Sequence, residues 1–156
     1  MKRLTAILAA CLIGWAARAV DSSAAPVFQM RLVLDAPSGD TEQMTLSNSV
    51  TSVEKFNVQK TVLLDQTALK SAKMQMDLLG HPTIAITFNE DGRKQFSKIS
   101  RENIGKRIVI IIAGRPSCAP MIRTEISGGQ AVISGSFSKD EAKELAKKIN
   151  EAVAKK

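Results

Sequence analysis

The 156-residue chain is long enough for one domain with a buried core and too short for a second independent domain of ordinary size. Apolar residues make up 44% of it but aromatic residues only 4%, with no Tyr, so the core must be aliphatic and a base-stacking nucleic-acid surface is poorly supplied. The formal charge of +7 falls to +4 without the first 19 residues, because 19 basic residues then face 15 acidic ones, and so modest a surplus does not indicate a polyanionic partner.

The first 19 residues have the pattern of an export signal. Lys2 and Arg3 give a positive start, residues 4–15 are apolar, and Ala17-Arg18-Ala19 has the small-x-small form that signal peptidase accepts. The apolar run is shorter than the roughly 20 residues that a membrane-spanning helix needs. We therefore predict cleavage after Ala19, no transmembrane span in the mature chain, and a location in the periplasm or cell envelope.

A lipid anchor is the alternative for this segment. Leu8-Ala9-Ala10-Cys11 also resembles a bacterial lipobox, in which Cys11 would become the acylated first residue. If Cys11 instead leaves with the signal, Cys118 is the only thiol of the mature chain and no internal disulfide can form. Both readings stay open from the sequence.

Residues 20–54 are predicted to be a lead-in strand followed by a poorly defined loop. Residues 27–34 alternate in polarity as a half-buried strand does. Residues 35–51 are rich in Ser, Thr, Gly and Asp, which indicates a long loop or a weak edge hairpin. The alternating pattern that starts at Lys55 then predicts a second strand.

Three helices are predicted. Asp65 can cap a short helix over residues 66–72. Asn89 can cap a second helix, with Phe96 on its buried face and Gly105 after its end. Ser138 and Glu141 form a capping box for the third, whose apolar residues recur every three or four positions: Ala142, Leu145, Ala146, Ile149, Ala152 and Val153.

The remaining strands follow from short apolar runs between turn residues. They are predicted at 74–78 and 83–88 as a hairpin across Gly80-His81-Pro82, at 108–112 as a central strand, and at 121–126 and 130–135 as a hairpin across Ser127-Gly128-Gly129. The fold class is therefore α+β, with a mostly antiparallel sheet of about six or seven strands and about three helices packed mainly on one face.

Five segments in the second half of the chain carry a family resemblance. They are Phe88-Asn89-Glu90-Asp91-Gly92 with Phe96, Gly105-Lys106-Arg107, Ala119-Pro120, the glycine-rich run 126–137 (ISGGQAVISGSF), and Glu141-Ala142. In order and spacing the chain resembles the head subdomain of the first periplasmic domain of SecD, in the SecDF protein-export family. The resemblance runs from about Lys55 to Val153 and implies a SecD head-like α+β domain over residues 55–156.

That resemblance implies a non-enzymatic exported domain that contacts polypeptides during protein export. Two departures qualify it. Cys118 stands where the family often has a small hydroxyl residue, and the family's membrane segments and base subdomain match no part of these 156 residues. We therefore expect a stand-alone head that cannot perform proton-driven transport, which the family carries out with SecF. A structural or adaptor module that docks on a membrane complex, without binding a client, is the alternative.

Catalytic candidates are few. His81 is the only histidine and lies in a turn beside Pro82, and Cys118 is the one thiol expected in the mature chain. A thiol nucleophile would need His81 as its base, and nothing in the sequence specifies that pairing. We therefore predict no catalytic residues, and keep a thiol-dependent enzyme only as a remote alternative.

Cofactor and metal sites are not predicted either. One histidine and one thiol are too few for a zinc site, and no acidic run has calcium-loop spacing. Gly128, Gly129 and Gly135 lack the Gly-Lys-Ser or Gly-Lys-Thr of a phosphate loop. An anion site formed by three arginines remains open, although solvated strand ends also explain them: Arg107, Arg115 and Arg123.

Polypeptide binding would need an open surface. Exposed strand edges can accept an extended peptide through main-chain hydrogen bonds, and methionine suits adaptable apolar surfaces. Methionine at alternating strand positions also fills cores, so the sequence leaves both roles open for five residues: Met30, Met44, Met74, Met76 and Met121.

Overall fold

The computed structural model of the protein describes residues 26–47 and 53–155. The predicted signal peptide, the acylation alternative at Cys11 and the end of the predicted loop at residues 48–51 lie outside these ranges. Within them, nine strands form two antiparallel sheets that pack with two α-helices. The α+β class and the antiparallel sheet predicted from the sequence are confirmed.

The larger sheet comprises β1 (Phe28–Leu34), β2 (Thr41–Ser47), β3 (Val53–Gln59), β4 (Leu64–Asp65), β7 (Ile108–Ile112) and β8 (Arg115–Cys118). The smaller sheet comprises β5 (Leu69–Met76), β6 (Pro82–Phe88) and β9 (Gln130–Ser134), and the helices are α1 (Glu90–Glu102) and α2 (Lys139–Ala154). The strand order of the larger sheet is β2-β3-β1-β7-β8, and β4 pairs with the start of β1. The order of the smaller sheet is β5-β6-β9.

Strand β7 is central because both of its faces are covered. Ile108, Ile110 and Ile112 belong to the main core, whereas Val109 and Ile111 belong to a second cluster on the opposite face of the sheet. All five side chains are buried, as the continuous branched run predicts. The larger sheet curls so that its end strands, β2 and β8, approach each other around the second cluster.

Both helices contribute to the main core. The Asn89 side chain accepts a hydrogen bond from the Gly92 amide at 2.8 Å and begins α1, whose Phe96 ring stacks on Phe88 at a centroid distance of 4.7 Å. The Ser138–Glu141 capping box begins α2, which packs mainly against β5. The predicted caps and the predicted buried stripe of the last helix are confirmed.

The predicted helix over residues 66–72 is wrong. Asp65 does act as a cap, accepting from the Thr67 amide at 2.8 Å, but only one 3-10 turn follows, Gln66–Ala68. The backbone then extends at Leu69 and pairs with β6 as β5. A two-turn helix is costly to nucleate, whereas an eight-residue strand gains a ladder and buries Leu69 and Ala72. The part of the chain that the structure describes therefore has two α-helices instead of about three.

The predicted hairpin across Ser127-Gly128-Gly129 is also wrong. Residues 121–126 contribute only an isolated bridge, from Met121 to Arg107, and β9 pairs with β6 instead. Ile122 is held by main-chain hydrogen bonds to Gly105 and Lys106, and the Ile126 amide donates to the Ser100 hydroxyl at 2.9 Å. These bonds fix the segment against the end of α1.

Strands β2 and β8 form the two edges of the larger sheet. Of the two readings of residues 35–51, the edge hairpin is confirmed, because residues 41–47 form β2 and pair along β3. Strand β8 was not predicted, because it is four residues long and contains Pro116. Proline is tolerated in an edge strand, where its missing amide need not take part in the ladder.

Candidate functional site

No hydrogen bond or ion pair joins the two catalytic candidates. His81 is exposed in the β5–β6 turn, and its Nδ1 lies 3.3 Å from Asp77 Oδ2. Cys118 ends β8 and packs against the main core. Burial raises the pKa of the Cys118 thiol to about 12, which keeps it protonated at neutral pH. A thiol that is neither ionised nor hydrogen-bonded to a base is a poor nucleophile.

Cys118 is expected to react slowly with iodoacetamide at pH 8. A pKa of about 12 instead of 9.0 lowers the thiolate fraction roughly a thousandfold. Mass spectrometry of the peptide that contains Cys118 measures its alkylation without interference from Cys11, and urea should restore the rate of an ordinary thiol. Rapid alkylation of the folded protein would contradict the burial of this thiol.

The three arginines do not form a shared anion site. Arg107 precedes β7 and Arg115 follows it, so they lie at opposite ends of this strand. Arg107 donates to Glu54 through both terminal nitrogens, at 2.5 and 3.1 Å, and through Nε to the Ala119 carbonyl at 3.0 Å. Its guanidinium also lies 5.8 Å from the Phe56 ring centroid. The Arg107 side chain thus joins β3 to Ala119, the residue that follows β8.

The Glu54–Arg107 pair is expected to make stability depend on pH. The hydrogen bond from Arg107 holds the pKa of Glu54 below its ordinary value of 4.5. The pair therefore stabilises the fold fully above about pH 4.5 and progressively less as the pH falls through the lower folded-state pKa. Urea unfolding of the wild type and Glu54→Gln should show a stability difference at pH 7 that shrinks in acid.

The Arg107→Gln background is the matched control for this prediction. Adding Glu54→Gln to Arg107→Gln should give a much smaller difference with a weaker pH dependence, because the donor that lowers the pKa of Glu54 is gone. An equal pH dependence in both backgrounds would show that another group lowers it.

The methionines divide between core and surface. Met30 is buried, and Met44 and Met74 are partly buried against the two clusters. Met76 and Met121 are about half exposed. Three of the five therefore serve mainly as core filler, and Met76 remains at the surface beside a strand edge.

Hydrogen-bond phase shows which main-chain groups face outward. The Asp77 amide donates to the His81 carbonyl at 2.9 Å, so Asp77 and His81 are a hydrogen-bonded pair. Non-hydrogen-bonded and hydrogen-bonded residue pairs then alternate along the β5–β6 ladder. The N–H and C=O groups of Ala72, Met74 and Met76 consequently point away from β6. The Phe88 amide likewise donates to the Gly129 carbonyl, and the same alternation along the β6–β9 ladder places the N–H and C=O groups of Val132 on the side away from β6.

One position on the β5 edge is covered by a side chain. The Ala72 amide donates to Asn150 Oδ1 at 2.8 Å, and Asn150 Nδ2 donates to the Ala72 carbonyl at 2.8 Å. The amide of Asn150, from α2, therefore pairs with Ala72 as a neighbouring strand would. The outward groups of Met74 and Met76 have no such partner among the described residues.

The β5–β6 turn presents two exposed leucines. Asp77 Oδ1 accepts hydrogen bonds from the Leu79 and His81 amides at 2.8 Å each. Both bonds lower the pKa of Asp77, and the bond from the His81 amide has the larger effect. The turn is thus ordered by its own hydrogen bonds while the side chains of Leu78 and Leu79 face solvent. Leu78 and Leu79 therefore form an exposed apolar pair on an ordered turn.

The glycine-rich run 126–137 serves the fold. Ile133 is fully buried in β9, and the Gly129 carbonyl accepts from the Phe88 amide at 3.0 Å. Gly129 has a φ of +72°, which is strained for any residue with a side chain, whereas a Cβ on Gly128 would meet nothing within 4 Å. The run therefore attaches β9 to β6.

The two adjacent glycines are expected to respond differently to alanine. Gly129→Ala should lower the free energy of unfolding by about 1–2 kcal/mol, because alanine is strained at this φ. Gly128→Ala, the matched control, should change it by no more than about 0.5 kcal/mol. Urea titration of both variants tests the difference, and equal effects would contradict the left-handed backbone at Gly129.

Comparison with known proteins agrees with this architecture. The family model described as "SecDF, P1 head subdomain" matches residues 41–152, well over half of the chain. This chain belongs to the SecDF P1 head family. The matched range begins with β2 and ends within α2, so it includes every strand except β1, all of α1 and most of α2.

Relatives of this head domain include longer translocase subunits. The SecD subunit of Leptotrichia buccalis is 45% identical over 85 residues, which are 54% of this chain and 21% of that protein. The SecDF protein of Thermus thermophilus is 45% identical over 84 residues, 54% of this chain and 11% of that protein. The chain therefore matches about a fifth or less of the length of these relatives.

Solved structures share the fold. The structure described as "Structure and function of a membrane component SecDF that enhances protein export" has a TM-score of 0.62 and 30% sequence identity, and the match covers 80% of this chain and 61% of that one. A crystal structure of SecDF in a super-membrane-facing form has a TM-score of 0.61, also at 30% identity, and the match covers 80% of this chain and 18% of that one.

Residues 26–47 and 53–155 of this SecDF head lack two features. No helix there is long and apolar enough to cross a membrane. No group of three or more His, Cys, Asp or Glu residues is placed there to hold a metal ion.

Proposed function

We propose that this SecDF head domain is exported to the bacterial cell envelope and binds extended polypeptide, or another envelope protein, in a protein-export role. The observation that carries the proposal is an open strand edge in a member of a translocase family. Met74 and Met76 on β5 present main-chain donors and acceptors that an extended chain can pair with. The related subunits are named as protein translocase components, which agrees with this role.

The proposed activity is binding without catalysis. The Cys118 thiol is protonated, and His81 faces Asp77 in an exposed turn. Residues 1–19 act as the export signal in this proposal, and cleavage after Ala19 leaves a domain that meets polypeptides outside the cytoplasm.

Expression with the native amino terminus tests both parts of the proposal. The intact mass of protein recovered from the cell envelope distinguishes cleavage after Ala19 from acylation at Cys11 and from an uncleaved chain. Chemical crosslinking of the recovered protein to its neighbours then reports its partners. Many unrelated unfolded chains would support client binding, and recovery of the uncleaved protein in the cytoplasm would contradict export.

An adaptor that docks on one fixed partner is the second candidate, and the exposed Leu78 and Leu79 pair favours it. An ordered turn with two apolar side chains suits a compact contact with a native protein. One recurring native partner in the crosslinking experiment, lost in a Leu78→Ser/Leu79→Ser variant, would support this candidate. Replacing the exposed Lys60 and Val62 with serine gives a control turn elsewhere on the surface.

A further inference from the structure

We propose that the polypeptide binds along the β5 edge beside α2, pairing with Met74 and Met76, and that it carries apolar side chains next to a carboxylate. This inference rests on the proposed function and adds to it the site and the chemistry of the bound segment. Four observations support it: the outward-pointing main-chain groups of the β5 edge, the Asn150 contact, the apolar groove and the positive charge of the groove's rim.

The edge itself is available over one short stretch. Because Met74 and Met76 point their main-chain groups away from β6, an added strand can bond to both without disturbing the sheet. Asn150 already pairs with Ala72, the preceding outward position, at 2.8 Å through both donor and acceptor. The Asn150 side chain therefore marks one end of the site and fixes how far along β5 an incoming strand can extend.

A groove runs beside this edge, between β5 and α2. It has a volume of about 560 Å³ and is open to solvent. Its apolar lining comes from Ala72, Met74, Ala146 and Ala154, and the small alanine side chains of α2 leave room for the side chains of a bound strand. Met76, half exposed just beyond the groove, extends the apolar surface toward the β5–β6 turn.

The rim of the groove is positively charged. Lys73, Lys143 and Lys147 border it, and Glu151 is the one acidic residue in its lining. Lys147 Nζ lies 3.8 Å from Glu151 Oε1, whereas Lys73 and Lys143 form no ion pair within residues 26–47 and 53–155. Two uncompensated cations beside an apolar groove complement a segment that carries an acidic residue next to its apolar ones.

The other open edge is less suited to this ligand. The main-chain groups of Val132 on β9 also point outward. The charged residues that line the adjoining groove, however, are Glu54 and Arg107, which already pair with each other. The residues that line that groove therefore offer an incoming carboxylate no unpaired cation. We accordingly assign the site to β5 and use β9 as its control.

Proline substitution can block each edge without removing a bond from its ladder. The amides of Met74 and Val132 both point outward, so proline at either position removes no ladder bond and, from the main chain, only the donor that an added strand would use. The probe is a short fluorescein-labelled peptide of alternating Val and Ser that ends in two Asp residues. A second peptide ends in two Lys residues instead. Anisotropy measures the affinity, and circular dichroism checks the fold of each variant.

The site predicts that Met74→Pro weakens binding of the acidic peptide at least tenfold and that Val132→Pro leaves it unchanged. Hydrogen exchange should show the amides of Met74 and Met76 protected on binding. Lys73→Glu/Lys143→Glu, which changes two exposed residues, should reverse the preference toward the Lys-ended peptide and keeps the test valid if a proline variant unfolds.

Two results would overturn the inference, and they can be told apart. Loss of binding in Val132→Pro but not in Met74→Pro would move the site to β9 and leave polypeptide binding intact. If the wild-type protein binds neither peptide nor any unfolded chain, the proposed function fails together with its site.

Discussion

Gly92→Ala is expected to lower the free energy of unfolding by about 3 kcal/mol, although alanine normally stabilises a helix interior relative to glycine. A Cβ on Gly92 would lie 2.0 Å from the main-chain oxygen of Ala68. That oxygen accepts from the Asn89 amide at 3.0 Å, so the turn before β5 and the start of α1 are held against each other. Neither backbone can move aside without losing this bond.

Urea unfolding measures the effect of Gly92→Ala, with Lys98→Ala as the control. Lys98 is exposed on the same helix, so its replacement should change the free energy of unfolding by no more than about 0.5 kcal/mol. A Gly92→Ala protein as stable as the wild type, or more stable, would contradict the close approach of α1 to the Gln66–Ala68 turn.

Phe96→Ala is expected to cost about 3–5 kcal/mol. The Phe96 ring is buried and stacks on Phe88, which joins α1 to β6 through the main core. Removing the ring leaves a cavity where a helix and a sheet meet, so the site cannot collapse easily. Phe96→Leu retains much of the volume and should cost less than about 1.5 kcal/mol.

The same urea titrations decide this prediction. The two Phe96 variants should differ by at least about 1.5 kcal/mol if the ring fills a closed space. Equal, small losses for Phe96→Ala and Phe96→Leu would mean that α1 is not packed on β6 through this residue.

Elements with strong local signals could be predicted from the sequence. The capping box at Ser138 and the spacing of Ala142, Ala146 and Ile149 specify α2 within its own residues. The branched run of β7 likewise indicates a strand covered on both faces. These patterns depend on neighbouring residues only, so they identify the element whatever the rest of the chain does.

Elements whose conformation depends on distant partners could not be predicted. Residues 69–72 have a helical pattern, but pairing with β6 makes them a strand. Strand β9 was predicted, yet its partner is β6 and not the adjacent segment 121–126. Local propensity says nothing about which of two candidate neighbours a strand will pair with.

The position of the candidate site also depends on residues that are distant in the sequence. The sequence leaves open whether the methionines line a surface or fill the core, because the free edge depends on strand order, and Asn150 contacts Ala72 across 78 residues of sequence. An asparagine on a helix carries no signal that it will pair with a strand edge. The exposed positions of Met76, Leu78 and Leu79 likewise follow from the strand register.

The most direct test of polypeptide binding by this SecDF head compares one protein in two states. Reduced, carboxymethylated lactalbumin stays unfolded, whereas native lactalbumin has the same sequence with its strand edges and apolar residues already paired. Anisotropy titration of each labelled form with the purified domain should show saturable binding of the unfolded form and none of the native form. Equal affinity for both forms, or no binding of either, would contradict the account.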